Sequence, residues 1–241
     1  MTVVSKVMHM ITELDVGGAE IMLTKLLAAM DPGQFSHSVL SLKNKGPIAA
    51  QIEKLGIPVY ELNLHRPFSR IRALTRLRMI FSEQRPDLIQ GWLYHGNLAA
   101  GMLRFLNVSN RPVIWNIRCS LNNFKQEKPL TYMAIRAGVF FSGSVAGILY
   151  NSHFSADQHS AIGYSSGKAC IIPNGFDLRR FKPNLLARQK VRSALKVPKD
   201  GILIGLIARY HPMKDHVNFL EAASLIAKQR KNVRFLILGG D

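Results

Sequence analysis

Short apolar runs alternate along the chain with longer stretches in which apolar residues return every three or four positions. Residues 6–11 (KVMHMI), 38–42, 57–62, 87–92 (DLIQGW), 112–117, 145–150 and 169–172 have the length and composition of strands. Residues 20–30, 47–55, 69–83 and 94–106 have a helical period. The longest apolar stretch, 132–150, carries Arg136 at its centre with scattered Gly and Ser. It falls short of the roughly 20 apolar residues of a spanning helix and reads as a buried helix followed by a strand. Strands alternating with helices in this way predict an α/β fold with a parallel, doubly wound, Rossmann-like sheet.

The rhythm breaks over 174–199, where Pro183 and Pro198 flank a polar helix rich in Arg and Lys. It restarts as a strand at 202–208 (ILIGLIA), a helix at 215–228 and a strand at 233–238 (VRFLIL). The sequence therefore predicts a first domain over 1–180, a linker over 181–199 and the start of a second domain over 200–241. One βαβ unit buries too little surface to fold alone, so more chain is expected after Asp241.

Composition narrows the class. A 47% hydrophobic fraction and a mean hydropathy of +0.05 suit a globular core. The two cysteines, Cys119 and Cys170, have neither disulfide-framework nor metal-ligand spacing and read as reduced thiols of a cytoplasmic protein. The opening MTVVSKVMHMITELD lacks the apolar core and cleavage site of a signal peptide. A net charge of +17 favours anionic partners without choosing among them.

Four places carry candidate chemistry. Asp15-Val16-Gly17-Gly18-Ala19-Glu20 follows the first strand and opens the first helix. Its glycines let backbone approach a ligand, and a helix N-terminus suits an anion such as a diphosphate; a plain Gly-Gly turn is the competing reading. The dinucleotide fingerprint G-x-G-x-x-G is absent there. Trp92, Tyr94 and His95 lie where a strand meets a helix, on the edge where open α/β sheets bind ligands. Arg118 ends the strand at 112–117 and either faces an anionic group or makes a surface ion pair. Arg209 and Lys214 bracket a helix start in the second domain; a planar fork and a point charge there suit a diphosphate, against the alternative of an ordinary basic loop.

Taken together, these motifs resemble one family. The Gly-Gly-Ala-Glu loop, Ile172-Pro173-Asn174-Gly175-Phe176-Asp177 followed by Phe181 and Pro183, Ile207-Ala208-Arg209 with Lys214, and Leu238-Gly239-Gly240-Asp241 occur in the order and spacing of that family. It comprises the GT-B glycosyltransferases of the retaining family that stands fourth in the sequence-based classification. The resemblance implies two Rossmann-like domains, the first holding the acceptor and the second the nucleotide sugar. By that analogy Gly17, Gly18, Arg209 and Lys214 bind the donor diphosphate. His95 is the catalytic-site residue near the transferred sugar, and Trp92, Tyr94 and Arg118 are acceptor-side candidates. Asn174 and Gly175 belong to the donor side or the interdomain region. No metal or cofactor is implied, because basic side chains and helix ends stabilise the leaving diphosphate. The family's paired-glutamate motif is absent from the sequence, so this chain alone is expected to be an inactive fragment of a transferase.

The stretch from Arg66 to Arg85 adds Arg70, Arg72, Arg76 and Arg78 around one helix, with Ile71, Leu74, Leu77 and Phe81 on one face. It reads either as a solvated face or as a dock for anionic lipid, worth about 1 kcal/mol per basic residue. The resemblance favours lipid, with a nucleotide-sugar donor, a saccharide or lipid-linked acceptor, and a place on the inner face of the cell membrane. The competing class is a non-catalytic phosphate- or partner-binding module. Nucleic acid is not expected as a partner: neither zinc-finger spacing nor an RNP aromatic pair is present.

Overall fold

A computed structural model describes residues 4–121 and 127–239, except for the side chains of 67–71. The chain divides into two compact units, Met1–Gly175 and Phe176–Asp241.

The first unit runs β1 (Ser5–Ile11), α1 (Gly18–Ala29), β2 (Phe35–Ser41), α2 (Gly46–Glu53), β3 (Val59–Glu61), α3 (Pro67–Gln84) and β4 (Leu88–Trp92). It continues as α4 (Leu93–Met102), β5 (Val113–Ile117), α5 (Pro129–Ser142), β6 (Gly147–Tyr150), α6 (His153–Ala161) and β7 (Ala169–Ile171). The strands form one seven-stranded sheet in the order β3-β2-β1-β4-β5-β6-β7. Every pairing is parallel. The chain first winds outward from β1 to β3, then returns to place β4 on the other side of β1. The switch point of this Rossmann-like sheet thus lies between β1 and β4, where open sheets leave a crevice outside their carboxyl ends.

Helices cover both faces, and the pleat of β1 shows why. Met8 and Met10 point to one side and pack with Leu77, Ile80 and Phe81 of α3. Ile11 points to the other and packs with Leu23 and Leu27 of α1 and Ile48 and Ile52 of α2. A third cluster joins Trp115, Ile117, Ile148 and Tyr150 to Ile135 of α5.

Two elements depart from the sequence pattern. β2 begins at Phe35, because pairing with Ser5–Val7 of β1 extends it through residues with little apolar signal. The other, α6, leaves no trace in the periodicity. Its inward residues are the polar Ser155 and His159, while Phe154 is exposed, so the usual hydrophobic period is missing. The side chain of its N-cap, Ser152, accepts a hydrogen bond from the Ser155 amide at 3.1 Å.

The second unit contains α7 (Leu185–Ala194), β8 (Ile202–Ile207), α8 (His216–Gln229) and β9 (Val233–Leu238), with β8 and β9 parallel. The stretch read from sequence as a linker holds α7, which belongs to this unit. Arg192 fastens the end of α7 by donating from Nη2 to the carbonyls of Pro198 and Gly201, both at 2.7 Å. Of the terminal Leu238-Gly239-Gly240-Asp241 motif, Gly240 and Asp241 lie outside the described residues.

Candidate functional site

The carboxyl edge at the switch point starts with the loop after β1. Gly17 is the N-cap of α1, and a Cβ there would collide with the Glu20 carboxylate, which folds back over it. The start of α1 therefore already carries a largely buried acidic side chain, which complements the positive end of the helix dipole. Gly18 faces open space: a methyl group added there would have nothing within 4 Å. Of the two glycines, Gly18 presents the unobstructed surface. The loop is held from the far side by Gly46, whose φ of +66° lets it lie against the Leu14 carbonyl. The Ile48 amide donates to that same carbonyl at 3.0 Å.

At β4 the strand passes into α4 with no intervening loop. Leu93 makes the turn at a φ of 60°, a left-handed conformation that strains a branched residue. Two glycines let α4 lie directly on the sheet. A Cβ on Gly91 would stand 2.6 Å from the Asn97 Cα, and one on Gly96 2.5 Å from the Met10 carbonyl oxygen. Asn97 then locks α4 to β5, accepting from the Asn116 amide at 3.1 Å.

This turn sets the first helical residues. His95 is half-buried on the edge. Burial holds its pKa below the usual value and the nearby Lys43 charge lowers it further, against a hydrogen bond to the Leu130 backbone and the charge of Glu13. Its imidazole is therefore neutral at neutral pH. Lys43, just past β2, and Glu13, just past β1, form an ion pair at 3.1 Å.

Trp92 and Tyr94 point away from solvent. Trp92 is fully buried and donates from its indole nitrogen to His9 Nδ1 at 3.2 Å. His9 in turn contacts His37, Nε2 to Nδ1, at 3.1 Å. With Nδ1 accepting from Trp92, neutral His9 carries its proton on Nε2 and donates it to His37. Burial, helped by His37, lowers the His9 pKa to about 3. Tyr94 lies in the third cluster and its hydroxyl lies 2.9 Å from His159 Nε2, while His159 Nδ1 lies 2.7 Å from the Ser155 carbonyl. Donation to that carbonyl leaves Nε2 to accept the tyrosine proton. Burial pushes the Tyr94 hydroxyl pKa up, so it stays protonated. Both side chains are buried and brace the edge from below.

Arg118 and Asn174, far apart in sequence, come together at the ends of β5 and β7. Arg118 Nη1 donates to Asn174 Oδ1 at 2.8 Å and approaches the Ile172 carbonyl at 3.5 Å. Its guanidinium lies 5.5 Å from the centre of the Trp92 ring, a cation–π arrangement. Its buried Nε has no hydrogen-bond partner among the described residues. Gly175 next to Asn174 stands in open space.

In the second unit Arg209 and Lys214 are both exposed beside the start of α8. Lys214 ends a short 3₁₀ turn, Pro212–Lys214, and Asp215 caps α8 in a left-handed conformation, φ 51°, accepting from the Asn218 amide at 3.4 Å. Among the described residues no three His, Cys, Asp or Glu side chains group to hold a metal.

The sequence pattern does not single out Glu13, Lys43, Gly46 or His9. Glu13 and Lys43 each sit just past a strand's carboxyl end, a position that marks them once strand order is known. Order itself is a tertiary fact, which is why periodicity did not reveal it.

The model of the family described as Glycosyltransferase Family 4 matches residues 16–180. EpsF of Bacillus subtilis (strain 168), a protein named for glycosyltransferase activity, is 24% identical over 98% of this chain and 62% of its own length. Among solved structures, Anabaena Alr3699/HepE in complex with UDP and glucose superposes with a TM-score of 0.73 at 18% identity, over 97% of this chain and 60% of that one. Sucrose-phosphate synthase from Thermosynechococcus elongatus gives 0.71 at 14% identity, over 98% and 63%. UDP-GlcNAc 2-epimerase from Neisseria meningitidis gives 0.61 at 14% identity, over 96% and 65%, so this fold hosts more than one chemistry. The chain spans about six tenths of the length of EpsF and HepE. The architecture is that of GT-B glycosyltransferases, and with the family model covering most of its length, the chain belongs to glycosyltransferase family 4.

Proposed function

We propose that the protein carrying this chain moves a sugar from a nucleotide-sugar donor to a saccharide or lipid-linked cell-envelope acceptor, with retention of anomeric configuration. The observation that carries this reading is the grouping of His95 with the Glu13–Lys43 pair on the switch-point edge. A neutral imidazole there accepts a hydrogen bond from a sugar hydroxyl, and a carboxylate and an ammonium orient further hydroxyls. Arg118, held by Asn174 and stacked on Trp92, offers its remaining donors to the acceptor. Gly18 gives backbone access for the donor diphosphate, with Gly17 shaping the turn. In the second unit, Arg209 and Lys214 neutralise the diphosphate as it leaves. HepE was solved with UDP and with UDP-glucose, which supports a nucleotide-sugar donor here. Arg66, Arg70, Arg72, Arg76 and Arg78 add positive charge towards an anionic membrane, and the protein works on its cytoplasmic side. The side chains of Arg70 and Ile71 lie outside those described.

The test uses the whole protein with a panel of UDP-, GDP- and dTDP-sugars and extracted envelope acceptors, following nucleoside diphosphate release and the anomeric configuration of the product. Acceptor-dependent release that persists in a metal chelator, with retained configuration, is expected. An inverted product, or no release from any donor, contradicts the reading.

A further inference from the structure

The amino edge of the first sheet, at the opposite end of the strands from His95, carries a cavity of about 600 Å³. That volume lies within the roughly 300–1,000 Å³ of small-molecule sites. Its walls come from the last turn of α4 and the loop after it, from the entry to β5, and from residues just before β6 and β7. Ala100 and Gly101 present little side chain on the α4 wall, while Phe105 and Pro112 supply apolar surface. Phe105 is 66% exposed and is steadied by an edge-on contact with Phe141, ring centres 5.3 Å apart.

Arg104, Arg111 and Lys168 line this cavity, and among the described residues no acidic side chain does. Two smaller cavities of the first unit each include a carboxylate, Asp157 in one and Glu83 in the other. The cations keep donors to offer. Lys168 commits one Nζ–H to the Val145 carbonyl at 2.6 Å, which fixes its ammonium and leaves two more. Arg111 meets Asp87 only at 4.0 Å, with both side chains about half exposed, a weak pairing. A buried polar group also stands unpaired at the wall. Trp115 is 1% exposed, and its indole N–H has no hydrogen-bond partner among the described residues. A Cβ added to Gly101 would stand 3.5 Å from that nitrogen, so the N–H lies against the cavity's α4 wall.

We propose that this cavity binds a small, soluble phosphate ester whose other end is aromatic or apolar. The phosphate takes the arginine forks and the Lys168 ammonium, and the ring lies against Phe105 and Pro112. A ligand oxygen, or a water that it holds, gives the Trp115 N–H the partner it lacks, and an unpaired buried donor is costly. The carboxyl end of α4 opposes an anion through the helix dipole. Its Ala100 and Met102 carbonyls, however, already accept from the Leu103 and Leu106 amides. Nucleic acid is the poorer fit, because a strand tracks an extended basic groove and these cations close around a cavity. α4 begins beside His95 and ends at the cavity, so the two places share one helix. The binding does not depend on the glycosyltransferase reading, and its test needs no turnover.

The experiment is an NMR titration of the isotope-labelled full chain with phenyl phosphate, followed through the indole N–H signals of its two tryptophans, Trp92 and Trp115. Trp115→Phe assigns them, and Trp92, in a separate core cluster, is the internal control. A saturable shift of the Trp115 signal is expected, with the Trp92 signal unmoved and with phenol, which lacks the phosphate, moving neither. Arg104→Gln combined with Arg111→Gln, both exposed positions, should keep the melting temperature and weaken binding by roughly tenfold or more. Arg209→Gln combined with Lys214→Gln should leave the Trp115 shift as it is, which separates this cavity from the donor side. A Trp115 signal that millimolar phenyl phosphate does not move, or that phenol moves as far, overturns the proposal. So does an Arg104→Gln, Arg111→Gln variant that binds like the wild type, a shift lost on changing Arg209 and Lys214, or a chain that takes up RNA at these arginines but not phenyl phosphate.

Discussion

Single residues set the geometry of the edge, and the glycines show how differently two neighbours can act. At Gly96 an added methyl would press on backbone, the Met10 carbonyl and the Ile11 Cα at 3.1 Å, and backbone cannot step aside. Gly96→Ala is expected to cost roughly 1–3 kcal/mol by overpacking, read as a fall of several degrees in melting temperature. Gly18→Ala meets nothing in the protein. Its melting temperature should stay at the wild-type value, while the whole protein loses donor affinity, seen as a raised KM for the nucleotide sugar. An unchanged KM would remove Gly18 from the donor contact. Buried histidines govern the acid response. His9 has a folded pKa of about 3 against an ordinary 6.5, so between those values the unfolded chain binds the extra proton. Its share of stability is complete above pH 6.5 and is lost progressively as pH falls towards 3. His159, also held low by burial, acts in the same direction. Urea unfolding at pH 7 and pH 5 should differ by about 2 kcal/mol for His9 alone, and the difference should shrink in His9→Gln.

At the level of elements, the sheet was largely readable from periodicity because its strands bury both faces and its main helices bury one. The run 233–238 matches β9 (Val233–Leu238), and 69–83 lies within α3 (Pro67–Gln84). α6 was illegible because a serine and a histidine take the inward positions that apolar residues usually mark. The site was legible only in part. Its polar residues His95, Arg118 and Asn174 stand just past strand ends and invite notice. The aromatic pair Trp92 and Tyr94 invited the same notice, yet both point inward, since the abrupt β4–α4 turn at Leu93 decides which residue faces out. Nothing in a linear pattern announces a positive φ at a leucine. The meeting of Arg118 with Asn174 likewise depends on β5 and β7 flanking β6.

For the molecule as a whole, the account joins a family assignment to a chemical edge on the first unit and a basic helix start on the second. In the whole protein, Arg209→Ala and Lys214→Ala should each lower kcat/KM by roughly 100-fold or more, as for lost stabilisation of developing charge. Activity within a few-fold of wild type for both would remove the diphosphate assignment. The claim at the centre is that His95 acts in sugar transfer as a neutral imidazole. Because its pKa is held below 6.5, the acid limb of kcat/KM should lie below that value. The most direct test is His95→Gln in the whole protein, measured for turnover and for melting temperature in the same buffer. The account predicts a kcat loss of about 100-fold or more with the melting temperature kept within a few degrees. Turnover near the wild-type value, or a loss no greater than the unfolded fraction, would contradict it.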